Sequence, residues 1–204
     1  MLAAVASGAA AAPGQPAAGC PTAATISAAT TSVVSLLASD GPSLETATAF
    51  SIGSGRFVTV AHAVAGARDI RIGAGTVAGV IALDLRRDLA VVAAPGLLMP
   101  ALGPARGAAA ATSCAVVIAA RGGQAGPIAG MVLQSVQVSI DIPVAARRAA
   151  LELGVDLRRG DSGSPVIDGS GAVEGVVFAV SRDVPSTGWA VAASELRDFL
   201  DGLP

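Results

Sequence analysis

The segment Gly160-Asp161-Ser162-Gly163-Ser164-Pro165 places a serine in a glycine-rich tight turn. A nucleophilic serine needs an exposed hydroxyl on such a turn, and backbone N–H groups directed at the carbonyl oxygen that it attacks. Gly160 has no side chain to cover its backbone, so its N–H and that of Ser162 form the expected oxyanion hole. The same residues also suit an ordinary β-turn, and the segment alone does not decide between the two interpretations.

Two further residues complete a candidate catalytic set. His62 is the only histidine of the chain and follows the strand-like segment Arg56–Thr59, so any imidazole base must be His62. A single histidine is more often structural, and His62 alone does not identify a site. Asp88 precedes the apolar run Leu89–Val92 and is the candidate acid, with Asp84 as an alternative four residues earlier.

The order of the three candidates along the chain narrows the fold. His62 comes first, Asp88 second and Ser162 third, which is the order of the chymotrypsin type and differs from that of subtilisin and the α/β-hydrolases. An α/β-hydrolase would also need glycine where this chain has Ser164. A Gly-Asp-Ser-Leu esterase would need leucine at position 163 and a histidine downstream, and the chain has neither.

The body of the chain predicts an all-β fold. From Thr31 onward, short runs of β-branched residues are broken by Gly, Pro and Asp, which is typical of sandwiches and barrels. The strands predicted in the first half are Ser32–Ala38, Ala47–Ile52, Arg56–Thr59, Asp69–Gly73, Gly75–Asp84 and Ala90–Ala93. Those predicted in the second half are Ser113–Ala119, Gly126–Ser139, Gly154–Asp156, Pro165–Ile167, Ala172–Val180 and Gly188–Ala192.

Three segments do not fit strands. Residues 98–107, which contain two prolines, form a predicted linker. The Ala-rich segment Val144–Leu153 fits a helical turn or a loop. Near the C-terminus, Ser194 is the predicted cap of a short helix that ends at Gly202. The apolar face of this helix consists of Leu196, Phe199 and Leu200.

Composition excludes several classes of function. With 52% hydrophobic and 14% charged residues among 204, the chain is too apolar for a disordered protein. A net charge of -2 gives no basic surface for nucleic acid. No run reaches the ~18 apolar residues of a membrane-spanning helix, so we expect no membrane span. Nothing in the sequence indicates a metal or another cofactor.

The two cysteines, Cys20 and Cys114, leave three interpretations open. They are unrelated small buried residues, or they form a disulfide between the N-terminal arm and the second half of the fold. Such a bond persists in oxidising compartments. In the third interpretation, Ala18-Gly19-Cys20 is a degenerate lipoprotein cleavage site.

Four segments together resemble the trypsin-like serine peptidases, particularly the bacterial HtrA-type enzymes. These segments are Gly53-Ser54-Gly55, Thr59–His62, Asp88–Val92 and Gly160–Pro165. The segments Val176–Ala179 and Gly188–Val191 further resemble the MarP-like periplasmic proteases of actinobacteria. The resemblance runs from Ser32 to Leu200. It implies two perpendicular six-stranded β-barrels with a catalytic triad in the cleft between them, and a short C-terminal helix.

The resemblance assigns roles and domains. Ser162 is the implied nucleophile, His62 the general base and then acid, and Asp88 the residue that orients His62. The expected domains are a flexible arm or signal remnant (1–24), a first barrel with His62 and Asp88 (25–97), a linker (98–107), and a second barrel with Ser162 and the C-terminal helix (108–204). The implied activity is that of an extracytoplasmic endopeptidase, secreted or periplasmic, acting on protein or peptide substrates.

Substrate preference depends on four residues. Asp156 stands six residues before Ser162, at the base of the primary specificity pocket in trypsin, where it would favour Arg or Lys. We favour the alternative in which Asp156 lies on a strand face or caps a loop. Val177, Phe178 and Ala179 are the expected pocket wall and suggest room for a modest apolar residue.

The chain also departs from its relatives. We expect no PDZ domain of the HtrA type, because few residues follow Ser162, and none of the upstream membrane helices of MarP-like proteins. No Ile-Val-Gly-Gly-like segment supplies an inserted amino group, so other donors must hold Asp161. The candidates are Arg158, Arg159 and the backbone. The alternative functions are a catalytically silent protease-like binding module and an esterase with the same triad.

Overall fold

The chain folds into two β-sheets followed by a C-terminal helix in the computed structural model, which describes residues 3–5, 19–140 and 146–203. The strands are β1 (Ala3–Val5), β2 (Val33–Ser39), β3 (Leu44–Gly53), β4 (Arg56–Thr59), β5 (Asp69–Ile72), β6 (Thr76–Asp84), β7 (Leu89–Ala93), β8 (Cys114–Arg121), β9 (Gln124–Ile140), β10 (Ala146–Gly154), β11 (Pro165–Ile167), β12 (Val173–Val180) and β13 (Thr187–Ala192). The helices are α1 (Ala23–Thr30), α2 (Ala61–Val64) and α3 (Ala193–Asp201).

Strands β2 to β7 form the first barrel, closed in the order β2-β3-β4-β7-β6-β5. Side chains alternate between the two faces of a strand, and in β5 the exposed and buried positions alternate strictly. The interior is filled by large apolar side chains with no exposed surface. They include Leu36, Phe50, Phe57, Ile72 and Leu89. The first barrel, which carries His62 and Asp88, therefore encloses a hydrophobic core of its own.

Strands β8 to β13 form the second six-stranded sheet, to which β1 adds a further strand. Successive antiparallel pairings run from β8 through β9, β10, β13, β12 and β11 and return to β8. The long strand β9 pairs with β8 along its first half and with β10 along its second. This closed ring of pairings makes the second sheet the second barrel of the fold. The predicted all-β fold, with two six-stranded units and a short C-terminal helix, is confirmed.

One predicted strand is wrong, and one undecided segment is a strand. Gly154–Asp156 is not a strand, because β10 ends at Gly154 and the chain then turns. The segment Val144–Leu153 contains most of β10, while positions 144 and 145 lie outside the described residues. Alanine has a low preference for strands, so composition gave no strand signal. Pairing with β9 on one edge and β13 on the other overrides that preference.

The helices also correct the prediction. α1 had no counterpart in the sequence analysis, although Thr22 caps it by accepting a hydrogen bond from the Thr25 N–H at 3.2 Å. α3 begins at Ala193, and its cap position is Ala192 without a side-chain hydrogen bond, so the predicted cap at Ser194 is wrong. The chain enters α3 directly from β13, which leaves no loop residue to act as a cap. The helix ends at Gly202, as predicted.

The segment between the sheets contacts both of them. The Leu102 N–H donates to the Ser51 carbonyl of β3 at 2.8 Å, and the Ala105 N–H donates to the Val173 carbonyl of β12 at 2.8 Å. These bonds satisfy backbone groups that would otherwise lack hydrogen-bond partners, because the connection has no regular structure. The connection therefore contributes to the relative placement of the two sheets.

A disulfide joins Cys20, just before α1, to Cys114, the first residue of β8. The two Cα atoms are 5.2 Å apart, within the range of protein disulfides. The second of the three interpretations of the cysteines is therefore confirmed. The bond fixes α1 and the segment before it to the second sheet.

We expect reduction of the Cys20–Cys114 disulfide to lower the melting temperature. The bond closes a loop with a sequence separation of 94 residues, for which the chain-entropy model gives about 4–5 kcal/mol of stabilisation. Thermal unfolding with and without reductant measures the effect, and the Cys20→Ser/Cys114→Ser variant, insensitive to reductant, is the control. An unchanged melting temperature after verified reduction would contradict this prediction.

Candidate active site

The turn between β10 and β11 carries the candidate nucleophile. Ser162 is partly exposed, whereas its neighbours Asp161 and Gly163 are buried. Gly160 and Gly163 have φ angles of 95° and 87°, a region that residues with a side chain rarely adopt. The two glycines therefore let the chain reverse on both sides of Ser162 while its hydroxyl stays accessible.

Thr48 of β3 connects the first barrel to this turn. Its backbone N–H donates to the Ser162 carbonyl at 2.8 Å, and its Oγ1 donates to the Gly160 carbonyl at 3.0 Å. The same Oγ1 accepts a hydrogen bond from the Ala120 N–H of β8 at 3.1 Å. The Thr48 carbonyl accepts from Thr59 Oγ1 at 2.8 Å. Thr48 has no exposed surface, so these bonds form in a water-free contact between the two barrels.

Gly163 makes this close contact possible. A Cβ atom at position 163 would overlap the Thr48 carbonyl oxygen and lie 2.7 Å from Thr59 Oγ1. Its N–H also donates to the Val177 carbonyl of β12 at 2.7 Å. The residue after Ser162 is thus held on one side by the first barrel and on the other by the second.

The backbone N–H groups of the turn fall into two sets. Those of Asp161, Gly163 and Ser164 donate to carbonyl groups of the protein at 3.1, 2.7 and 3.0 Å. Within the described part of the chain, the N–H groups of Gly160 and Ser162 have no acceptor. These two are the groups that the sequence analysis proposes as the oxyanion hole, and they are free to bind an external oxygen.

His62 and Asp88 form a close pair at the rim of the first barrel. His62 Nδ1 lies 2.8 Å from Asp88 Oδ2, and the His62 backbone N–H donates to Asp88 Oδ1 at 2.8 Å. The Ala61 N–H donates to the Asp88 carbonyl at 3.2 Å. Because a carboxylate only accepts, Nδ1 carries the hydrogen, and Nε2 keeps its lone pair. The imidazole is 44% exposed and the carboxylate 11%, so the ring faces the cleft and the acid lies behind it.

Ser162 is linked to this pair indirectly. No hydrogen bond joins Ser162 Oγ to His62 among the described residues. The bonds of Thr48 connect Ser162 to Thr59, which lies three residues before His62 in the chain. Hydrogen bonds between a nucleophile and its base are often long in the absence of substrate. The structure thus joins His62 to Asp88 and ties the Ser162 turn to the first barrel through Thr48.

Asp84, the alternative acid, has other partners. Its Oδ1 accepts from the N–H groups of Arg86 and Arg87 at 2.9 Å each, and its Oδ2 binds the Arg87 guanidinium at 2.8 Å. Burial raises the pKa of Asp84, but the hydrogen bonds from Arg87 and Arg86 outweigh it, so the pKa ends below its ordinary value. Asp84 is therefore the cap of the turn that leads to Asp88.

Asp161 is held by an arginine that the sequence analysis did not single out. Arg121, the last residue of β8, binds both carboxylate oxygens through Nε and Nη2, at 2.9 and 2.6 Å. The Arg158 backbone N–H donates to the same carboxylate at 2.8 Å. The sequence analysis named the backbone and the side chains of Arg158 and Arg159 as candidate donors to Asp161. The backbone is such a donor, whereas the two side chains are exposed. The hydrogen bond to Asp161 raises the pKa of Arg121 further, so the guanidinium keeps its positive charge.

The residues predicted for the substrate pocket lie in different environments. Asp156 is exposed, and its carbonyl accepts a hydrogen bond from Arg121 Nη2 at 3.0 Å. Val177 and Phe178 are buried, whereas Ala179 is partly exposed. The Arg148 guanidinium lies over the Phe178 ring, with its Cζ 4.6 Å from the ring centroid.

Within the described ranges, no helix is long and apolar enough to cross a membrane. In the same part of the chain, His, Cys, Asp and Glu side chains form no cluster with the arrangement of a metal site.

Comparison with known families places the chain among the trypsin-like peptidases. The trypsin-like peptidase domain matches residues 47–176, which include His62, Asp88 and Ser162. The chain therefore belongs to this family.

One related protein, found both as a curated sequence and as a solved structure, narrows the likeness. The serine protease Rv3671c of Mycobacterium tuberculosis is 34% identical over 163 residues, which are 75% of this chain and 41% of the relative. The chain thus spans about two fifths of the length of that curated relative. The solved structure of the Rv3671c protease in its active form superposes with a TM-score of 0.82 at 27% identity, covering 97% of this chain and 96% of that one.

A more distant structure shares the fold alone. The HtrA-type protease AlgW with a tripeptide has a TM-score of 0.75 at 20% identity, covering 89% of this chain and 63% of that one.

We expect Arg121→Met to disrupt the nucleophile turn. Removing one partner of a buried ion pair leaves Asp161 with an uncompensated charge, which costs about 3–5 kcal/mol. Chemical denaturation and activity assays should both show a loss relative to wild type. Arg158→Met, which removes an exposed guanidinium from the same turn, is the matched control and should behave like wild type. Equal stability of the two variants would contradict the role of Arg121.

Proposed function

We propose that this protein is a serine endopeptidase that hydrolyses peptide bonds through an acyl-enzyme intermediate. Two observations carry the proposal together: the His62–Asp88 pair, and a serine turn, fixed to the same barrel by Thr48, in which two backbone N–H groups have no acceptor among the described residues. The pair supplies an oriented base, and the turn supplies a nucleophile and an oxyanion site. Membership of the trypsin-like peptidase family supports the same reaction.

In the first half of the reaction, Ser162 Oγ attacks the carbonyl carbon of the substrate while His62 Nε2 takes the hydroxyl proton. The negative charge that develops on the carbonyl oxygen is stabilised by the N–H groups of Gly160 and Ser162. The imidazolium then donates its proton to the leaving amine as the C–N bond breaks. The amine departs, and the acyl group remains on Ser162.

In the second half, a water molecule replaces the amine. His62 Nε2 removes one proton from the water as its oxygen attacks the ester carbon, and the same two N–H groups bind the oxyanion again. The proton returns to Ser162 Oγ when the ester bond breaks, which releases the acid and restores the enzyme. Asp88 stays ionised throughout, fixes the tautomer of His62 and stabilises the imidazolium. The reaction needs no metal or other cofactor.

We infer a protein or peptide substrate with a small apolar side chain before the cleaved bond. Asp156 would favour Arg or Lys only as an unbalanced charge in the pocket. The Arg121 guanidinium donates to the Asp156 carbonyl, and this nearby positive charge disfavours a second cation. Ala179, which is partly exposed, offers apolar contact instead, while Val177 is buried.

We propose that the protein acts outside the cytoplasm, in the periplasm or as a secreted enzyme. The Cys20–Cys114 disulfide supports this location, because thiols stay reduced in the cytosol. Two alternatives use the same site. An esterase would share the acyl-enzyme chemistry, and a catalytically silent protease-like module would use the same fold for binding.

We expect Ser162→Ala and Asp88→Asn each to lower kcat by about 10⁴-fold or more, because the triad residues act as a unit. Casein digestion and hydrolysis of a p-nitrophenyl ester measure this loss. Asp84→Asn is the matched control, since it removes a carboxylate of the same turn that does not touch His62, and it should keep most of the activity.

The same assays separate the alternatives. Ester hydrolysis without casein digestion by the wild type would favour the esterase. A wild type that hydrolyses neither substrate would favour the binding module. Near-normal turnover by Ser162→Ala would contradict the assignment of the nucleophile.

A further inference from the structure

Arg148 of β10 lies in the interior, although it is an arginine in an Ala-rich strand. Only 3% of the residue is exposed. Among the described residues, neither its Nε nor its Nη1 has a hydrogen-bond partner. Burying a guanidinium without hydrogen bonds is unfavourable. Stability alone therefore does not explain an arginine at this position.

The contacts of Arg148 lead to the triad acid. Its Nη1 lies 3.8 Å from Asp88 Oδ2, the same oxygen that lies 2.8 Å from His62 Nδ1. The guanidinium also lies over the Phe178 ring of β12, 4.6 Å from the centroid. A cation is attracted to the face of an aromatic ring, so Phe178 stabilises the buried guanidinium. The second barrel thus presents a positive charge to the acid of the first.

The other charges around Arg148 are already engaged. Glu195 of α3 accepts from the Ala149 N–H and from Arg87 Nε, both at 2.9 Å, and Arg87 Nη1 also binds Asp84. Burial lowers the pKa of Arg148, while the carboxylates of Asp88, Glu195 and Asp84 oppose that shift. An arginine side chain keeps its proton in proteins, so Arg148 is positively charged. Because Glu195 and Asp84 are bound by other groups, Asp88 is the carboxylate whose charge Arg148 balances directly.

We propose that Arg148 is a positioning residue of the active site, which balances the charge of Asp88 from the second barrel and thereby disfavours protonation of His62. This inference rests on the proposed function, in which His62 must be unprotonated to act as the base. It also assigns β10 a part in the chemistry, because only correct docking of the two barrels brings the guanidinium to Asp88.

The size of the effect follows from the distances. The guanidinium lies within about 7 Å of the imidazole, given its contact with Asp88 Oδ2. A charge at that separation in a partly buried site changes a protonation equilibrium by on the order of one pH unit. Removing the positive charge makes the imidazolium more favourable. The midpoint of the His62 titration should therefore move to higher pH.

The test is an NMR titration of His62, whose ring signals are assigned without ambiguity because the chain has one histidine. We expect the midpoint to rise by on the order of one pH unit in Arg148→Met. Arg147→Met is the matched control, because Arg147 is adjacent and exposed, carries the same charge and should leave the midpoint unchanged. Arg148→Lys retains the charge and should stay close to wild type.

A stability measurement separates this role from a structural one. We expect Arg148→Met to melt somewhat below the wild type, because one partner of a buried charge pair is lost, but to stay folded at the assay temperature. Its activity should fall only at mildly acidic pH, with the lower limb of the kcat/KM profile moved to higher pH, whereas a purely structural defect would lower activity at every pH. If the methionine variant does not fold, Arg148→Gln takes its place in the titration. Equal midpoints in wild type and in the variants without charge would overturn the proposal.

The titration needs no turnover, so its result is independent of the proposed function. An unshifted midpoint in an active enzyme would overturn the role of Arg148 alone. A shifted midpoint in a protein without Ser162-dependent hydrolysis would support the electrostatic contact and contradict the proposed function.

Discussion

The hydrogen bonds of Thr48 are the constraint on which the rest of the site depends. One residue of β3 fixes the carbonyl groups on both sides of Asp161, at Gly160 and Ser162, from the opposite barrel. Because Thr48 is fully buried, a lost bond would leave a polar group without water, at about 1–3 kcal/mol each. The turn therefore keeps its shape only while the barrels stay docked, and docking also sets where His62 and Asp88 stand relative to Ser162.

Two buried acids flank the cleft, and arginines from the second barrel face both of them in different ways. Arg121 binds Asp161 with two short hydrogen bonds and holds the turn without an inserted amino group. Arg148 approaches Asp88 to 3.8 Å without a hydrogen bond, while His62 binds both oxygens of the same carboxylate. The first contact fixes geometry, whereas the second adjusts charge. The buried guanidinium of Arg148, which has this second kind of contact, is stabilised by the Phe178 ring.

Functional residues could be predicted from the sequence where a short segment or a unique residue type marks them. Residues and strands that depend on distant parts of the chain could not be predicted. Ser162 and its glycines stand in one short segment, and His62 is the only imidazole, so these candidates could be named without coordinates. Arg121 reaches Asp161 across a separation of 40 residues, and no local pattern distinguishes it from a solvated arginine. β10 was missed for a related reason: its strand character comes from pairing on both edges, and its alanines conceal it.

The most direct measurement is a crystal structure of the protein after reaction with a monofluorophosphonate. The predicted result is a covalent bond from phosphorus to Ser162 Oγ, with a phosphoryl oxygen accepting hydrogen bonds from the Gly160 and Ser162 N–H groups. The turn should stay in place on Thr48, with Asp161 still bound to Arg121. An adduct on another residue would contradict the account, and so would a turn that must rearrange before those two N–H groups reach the oxygen.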